Sequence, residues 1–270
     1  MSWINGRRAD SVGSEDRGLH YGDGLFETMT CVGGRVRWLA LHLQRLRRGC
    51  ERLGFTGIDF DALGAEIAAH ADPEGRCILK LIVTRGAARR RGYRPVGDET
   101  ATRILTRYDW PPTHPQAAAG FRVAVSEVRL GLNPLLAGLK HLNRLEQVLA
   151  QARIGSAPLE EVLMLSSAGD VIGGSMSNLF LADDQGWFTP SLTDCGVEGV
   201  MRQRVCSLAA QHGATVQIRR VARDELAQVR EAFLTNVRWG VQPIAVLEGR
   251  PLSERSRAQA VREWLDASHA

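Results

Sequence analysis

Apolar residues fall at Leu39, Leu43, Leu46, Cys50 and Leu53. That is helical spacing, and it predicts an amphipathic helix over Leu39–Leu53, ended by Gly54. Ahead of it, 25–31 and 35–38 read as two strands joined by a Gly33-Gly34 hairpin turn. A second helix is predicted over 59–70, and β-branched, apolar runs predict strands at 77–84 and 102–108. The next segment, Trp110-Pro111-Pro112-Thr113-His114-Pro115, has three prolines in five residues and suits neither a strand nor a helix. Beyond it, strands are expected at 121–128, 161–165, 178–181, 187–189, 215–219 and 232–235. Helices are expected over 143–154, from about Gly199, and over 254–267. The order is an α+β mixture, a mixed α/β chain of two domains, and lacks the regular alternation of a dinucleotide-binding fold. The domain boundaries predicted are 1–110, a linker at 111–120, and 121–270.

The chain has 270 residues, enough for two medium domains with buried cores. With 44% hydrophobic and 24% charged residues, its composition is that of an ordinary globular protein. It has no run of about 18 apolar residues, so a membrane span is not expected. The N-terminal residues lack the basic start and apolar stretch of a signal peptide, which makes a cytoplasmic location the default expectation. Net charge is +4, but the arginines are interleaved with Asp and Glu. The densest basic cluster, Arg89, Arg90, Arg91 and Arg94, has no aromatic stacking platform, so nucleic acid is not the expected partner. An anionic small molecule or a phosphate cofactor fits the surplus of arginine better. Five cysteines, Cys31, Cys50, Cys77, Cys195 and Cys206, show no metal-ligand spacing. No metal site is expected, and the cysteines read as reduced small hydrophobes.

Four places could carry chemistry. Lys140 lies among apolar residues in Leu135-Leu136-Ala137-Gly138-Leu139-Lys140-His141-Leu142-Asn143-Arg144, just before a predicted helix. Such flanks desolvate an amine and favour its neutral, nucleophilic form. On spacing alone, a surface lysine with its stem laid over apolar neighbours reads as well. In Gly196-Val197-Glu198-Gly199-Val200-Met201-Arg202 a glycine turn leads into a helix, whose first free N–H groups suit a phosphate, or the turn is simply a turn. Arg45 shares a helix face with His42 and is either a phosphate ligand or a solvated arginine. Arg91-Gly92-Tyr93 offers a guanidinium and a phenol to a carboxylate.

Taken together, these residues resemble the fold-type IV pyridoxal-phosphate enzymes. Within that group the chain resembles the aminodeoxychorismate lyase family more than the branched-chain and D-amino-acid aminotransferases. The resembling segments span nearly the whole chain: 16–28 (DRGLHYGDGLFET), 42–46 (HLQRL), 91–93 (RGY), 135–150 (LLAGLKHLNRLEQVLA), 177–180 (SNLF) and 199–202 (GVMR). The resemblance implies two α/β domains with the cofactor between them, and a homodimer. It implies Lys140, in the C-terminal domain, as the Schiff-base lysine and proton shuttle. Arg45, Gly199 and the backbone N–H groups of Val200 and Met201 would hold the pyridoxal 5'-phosphate, with Asn236 and Val237 as a second phosphate turn. Arg91, Tyr93 and Arg238 would face the substrate carboxylates. The reaction implied is conversion of 4-amino-4-deoxychorismate to 4-aminobenzoate and pyruvate, a step toward folate. The alternatives are an aminotransferase of the same fold or a non-catalytic cofactor-binding relative. One position departs from the family pattern. Gly173 stands where a glutamate usually faces the pyridine nitrogen, and the loss of that carboxylate implies a weaker electron sink and impaired activity.

Overall fold

The computed structural model describes residues 1–87, 90–97, 99–155 and 157–268; Arg89 of the basic cluster lies outside them. The chain divides into two compact units, Met1–Pro112 with Leu139–Asn143, and Thr113–Gly138 with Arg144–Ala270. The lysine segment, expected with the second half of the chain, therefore packs with the first.

The first unit contains β1 (Ser2–Ile4), β2 (Arg7–Arg8), α1 (Arg17–Tyr21), β3 (Gly24–Val32), β4 (Arg35–Val36), α2 (Leu39–Leu53), α3 (Phe60–Ala69), β5 (Arg76–Thr84) and β6 (Thr102–Asp109). Its strands make one antiparallel sheet in the order β2-β1-β6-β5-β3-β4. The β3–β5 ladder runs unbroken from Gly24 opposite Thr84 to Val32 opposite Arg76. Leu25, Glu27, Met29 and Cys31 of β3 are buried at alternate positions, as are Leu79, Leu81 and Val83 of β5. This is the period-two pattern of a sheet with a covered face. α2 buries His42, Arg45, Leu46, Gly49 and Cys50. A Cβ on Gly49 would lie 2.7 Å from Leu25 Cδ1, so the glycine lets the helix approach β3 closely. β4 stops at Val36, short of the predicted 35–38, because Trp38 takes a left-handed conformation (φ 53°) and turns the chain into α2. α1 was not expected from the sequence. Asp16 caps it by accepting the Gly18 N–H, and Gly22 ends it in the left-handed region.

The second unit contains β7 (Phe121–Leu130), α4 (Leu145–Ile154), β8 (Glu161–Ser166), β9 (Val171–Gly174), β10 (Asn178–Asp183), β11 (Gly186–Pro190), α5 (Val200–Gln211), β12 (Val216–Arg219), β13 (Glu231–Asn236), β14 (Gly240–Leu247), β15 (Arg250–Pro251) and α6 (Ser256–Ala267). The sheet order is β12-β11-β10-β13-β14-β7-β8-β9, with β15 beside β14. β7 pairs in parallel with both β14 and β8. The β7 to β8 connection holds α4 and, before it, the Leu139–Asn143 excursion into the first unit. A core of Phe121, Val123, Leu163, Leu165, Leu179 and Leu234 lies under this sheet. The proline segment adds a short 3-10 turn at Pro115–Ala117, where His114 accepts the Gln116 N–H. All five cysteines are free thiols. Among the described residues no helix is long and apolar enough to cross a membrane, and no cluster of His, Cys, Asp or Glu is arranged to hold a metal ion.

Candidate active site

In the first unit Lys140 belongs to a short extended segment added to the free edge at the start of β3. The Phe26 N–H donates to the Lys140 carbonyl (2.9 Å), and the Leu142 N–H donates to the Gly24 carbonyl (3.0 Å). His141 sits opposite Leu25 in an antiparallel bridge. The turn before β3 is shaped for this approach. A Cβ on Gly24 would lie 2.7 Å from both Leu142 Cδ1 and the Val83 carbonyl, and one on Gly22 would lie 2.5 Å from Asn143 Oδ1. Asn143 Nδ2 in turn donates to the Gly22 carbonyl (3.2 Å). The Lys140 Nζ stands 4.1 Å from the centre of the Phe26 ring. The other lysine of the chain, Lys80 on β5, reaches the same ring at 5.5 Å, a neighbour that the sequence did not disclose.

The opposite face of β3 carries a buried charged cluster. Glu27, 2% exposed, accepts hydrogen bonds from Arg45 Nε (2.8 Å), Arg45 Nη2 and His42 Nδ1 (2.6 Å). Burial alone raises a carboxyl group. Here the Arg45 charge and the His42 and Arg45 hydrogen bonds outweigh burial and hold Glu27 at about 2. Burial pushes the His42 imidazole down, against the pull of Glu27, and Arg45 and Lys140 add to the lowering. With Nδ1 donating to a carboxylate, His42 Nε2 is left a buried acceptor, and it has no partner among the described residues. Arg45, proposed from spacing, is thus locked onto Glu27, a residue that spacing did not single out.

Arg91 and Tyr93 lie on an exposed loop, with Tyr93 84% exposed. That loop is fastened to α1. Arg17, nearly fully buried, donates to the Gly92 carbonyl (3.1 Å), the Tyr93 carbonyl (2.7 Å) and Asp23 Oδ2 (2.8 Å). The Tyr21 hydroxyl accepts from the Gly92 N–H (3.4 Å), and the Tyr21 and Tyr93 rings meet edge to face at 5.2 Å. Asp23 also takes Arg85. Burial raises its carboxyl, but the two guanidiniums bring it below the ordinary carboxylate value.

In the second unit Gly199 is the N-cap of α5, and no side chain caps this helix. A Cβ on Gly199 would overlap Asn178 Oδ1. Asn178 Nδ2 donates to the Val197 carbonyl (2.9 Å), so Asn178 braces the turn leading to Val200 and Met201. Gly138 holds the same turn from the other side, donating to the Gly196 carbonyl (3.0 Å) and accepting from the Glu198 N–H (3.1 Å). Asn236 Oδ1 accepts the N–H groups of Arg238 (3.0 Å) and Trp239 (2.7 Å), closing a tight turn at Val237. Arg238 is exposed. Gly173 lies on β9 opposite Met164, and a Cβ there would be 3.0 Å from the Ser177 carbonyl.

The architecture and these residues define a class. The chain belongs to the class IV aminotransferase family, whose model (Amino-transferase class IV) matches residues 24–247, and the family binds pyridoxal phosphate. Its architecture is fold-type IV, with two sheets. Among solved structures, it is similar to the 4-amino-4-deoxychorismate lyase from Pseudomonas aeruginosa. The TM-score is 0.90, with 40% identity, covering 99% of this chain and 97% of that one. The aminodeoxychorismate lyase of Vibrio harveyi is 33% identical over 247 residues, 91% of this chain and 90% of that protein. In fold alone the chain also matches the branched-chain amino acid aminotransferase of Escherichia coli. That match has a TM-score of 0.86 and 21% identity, and it covers 98% of this chain and 93% of that one.

Proposed function

We propose that this chain is a pyridoxal-phosphate-dependent lyase that converts 4-amino-4-deoxychorismate to 4-aminobenzoate and pyruvate. The observation that carries the proposal is Lys140, fixed on the edge of β3 by backbone pairing, in a chain 40% identical over 99% of its length to a lyase of that name. The residues fit the cofactor. The N-terminus of the 12-residue α5 has no capping side chain and leaves its first N–H groups to an external acceptor. Gly199, Val200, Met201, Asn236 and Val237 would hold the phosphate. Bound pyridoxal phosphate supplies a carbonyl that condenses with amines and a ring that withdraws electrons.

Lys140 would have two roles: its Nζ would be the amine that holds the cofactor, and as a free amine it would take the proton from the amine-bearing ring carbon of the substrate. The bond to the enolpyruvyl oxygen breaks, and its electron pair leaves with that oxygen. The substrate ring becomes aromatic, and the enolate gains a proton at carbon to give pyruvate. Arg91 and Tyr93, and separately Arg238, are the proposed ligands for substrate carboxylates. A glycine at 173 would offer the cofactor ring no carboxylate from this position, which would favour a reaction driven by aromatisation over transamination. The protein acts as a homodimer in this proposal. Leu145, Val148 and Leu149, at i, i+3 and i+4 on α4, are 76%, 58% and 53% exposed, an apolar stripe suited to a second copy. The test is to supply aminodeoxychorismate without any keto acid. Release of equal amounts of pyruvate and 4-aminobenzoate is expected. Robust transamination of simple amino acids with no lyase activity would replace this reading with the aminotransferase one.

A further inference from the structure

We infer that Glu161 is a positioning residue for the phosphate-binding turns, through the single turn that its carboxylate gathers. The inference rests on the proposed placing of the cofactor phosphate at Gly199–Met201 and Asn236–Val237.

Glu161 opens β8 and is fully buried, and among the described residues no cation pairs with it. A buried carboxylate without a cation is costly unless donors surround it. Here five donors do. Oε1 accepts from the Val162 N–H (3.0 Å), Gln151 Nε2 (3.0 Å) and Ser175 Oγ; Oε2 accepts from Ser177 Oγ (3.0 Å) and the Met176 N–H (3.3 Å). Three of the five come from consecutive residues, Ser175, Met176 and Ser177. The turn passes so close that a Cβ on Gly174 would stand 2.9 Å from Glu161 Oε2. The next four residues of β8, Val162 to Leu165, are apolar and join the two cores of the unit, so a strand residue here has no need of a charge for packing.

The gathered turn reaches both proposed phosphate sites. Asn178, its next residue, braces the Val197 carbonyl, and its amide oxygen occupies the space that Gly199 leaves open. The Met176 carbonyl accepts from Asn236 Nδ2 (3.4 Å), whose own oxygen closes the 236–239 turn. One carboxylate therefore fixes one turn, and that turn fixes two others. The Glu161 carboxylate itself has its lone pairs occupied and is not a ligand.

The test compares binding of pyridoxal 5'-phosphate and of pyridoxal to the full-length apoprotein, read by absorbance. Pyridoxal has the same carbonyl but no phosphate. Glu161→Gln keeps the shape and points an amide NH₂ at some of the donors. It is expected to weaken pyridoxal phosphate binding by about tenfold, the scale of one buried donor left unsatisfied, with pyridoxal binding changed less than about twofold. Ser177→Ala, which removes one donor and leaves the carboxylate, is expected to shift the same ratio in the same direction and serves if Glu161→Gln does not fold. If both ligands weaken together, or if the pyridoxal phosphate preference stays intact in the variants, the inference is wrong while the proposed function stands. If the unaltered protein shows no preference for pyridoxal phosphate over pyridoxal, the functional reading itself falls, and this inference with it.

Discussion

Glu27 is a carboxylate enclosed by a sheet and a helix and kept ionised by Arg45 and His42. Its folded value of about 2 lies below its ordinary 4.5, so its contribution is present above about 4.5 and is lost as pH falls toward 2. Glu27→Gln would leave the buried Arg45 charge without its carboxylate. It is expected to cost roughly 3–5 kcal/mol in urea unfolding at pH 7. Below pH 4.5 the gap between the two proteins should narrow, and a gap constant from pH 7 to pH 3 would contradict the assignment. At Gly173 the backbone has an ordinary negative φ, but a Cβ would press the Ser177 carbonyl at 3.0 Å, so a side chain requires that carbonyl to give by a few tenths of an ångström. Gly173→Glu is expected to fold, to tighten pyridoxal phosphate binding by roughly 1.5–3 kcal/mol at most, and to raise lyase turnover. Unchanged affinity and turnover in a folded Gly173→Glu protein would mean that this position does not face the ring nitrogen. At this scale, types and spacing marked Lys140, Arg45 and the α5 glycine turn as candidates. They could not mark Glu27 or Glu161, because each lies in an apolar strand run and its side-chain partners are 15 to 18 residues away in one case and 10 to 16 in the other.

Elements whose signal is local were legible. α2 has the predicted bounds Leu39–Leu53 with Gly54 as its cap, since its apolar stripe and its terminator both lie within the segment. The sequence predicts no strand at β14, and Pro243 within it is an unfavourable ladder residue; it is nevertheless paired on both sides. β9 was also missed, because Val171-Ile172-Gly173-Gly174 is short and half glycine. The pairing of the lysine segment with β3 joins residues more than 100 positions apart and has no local signature. It depends on Gly24, and Gly24→Ala is expected to push Leu142 off the edge at a cost of about 1–3 kcal/mol. The visible absorbance that reports cofactor attached to Lys140 should form more slowly or incompletely in this variant. Normal attachment would show that the close approach at Gly24 does not set the position of the lysine.

At the scale of the molecule, the sequence pointed to two α/β units and to the family, and the chain belongs to that family. It placed Lys140 by its position along the chain, whereas contacts place it with the first unit, since a crossover connection can send a segment away from its neighbours in sequence. The α4 stripe bears on assembly. In the proposed dimer, the unaltered protein is expected to sediment as a dimer and Val148→Glu as a monomer; a Val148→Glu dimer would move the interface elsewhere, and an unaltered protein that sediments as a monomer would contradict the proposed dimer. The central claim is that Lys140 is the residue that holds pyridoxal phosphate, and the chain offers a sharp test because it has only one other lysine, Lys80, against the same Phe26 ring. The measurement is borohydride reduction of the cofactor-loaded protein followed by peptide mapping. The phosphopyridoxyl group is expected on the peptide containing Lys140 and absent from that containing Lys80; labelling of Lys80, or of neither lysine, would contradict the account.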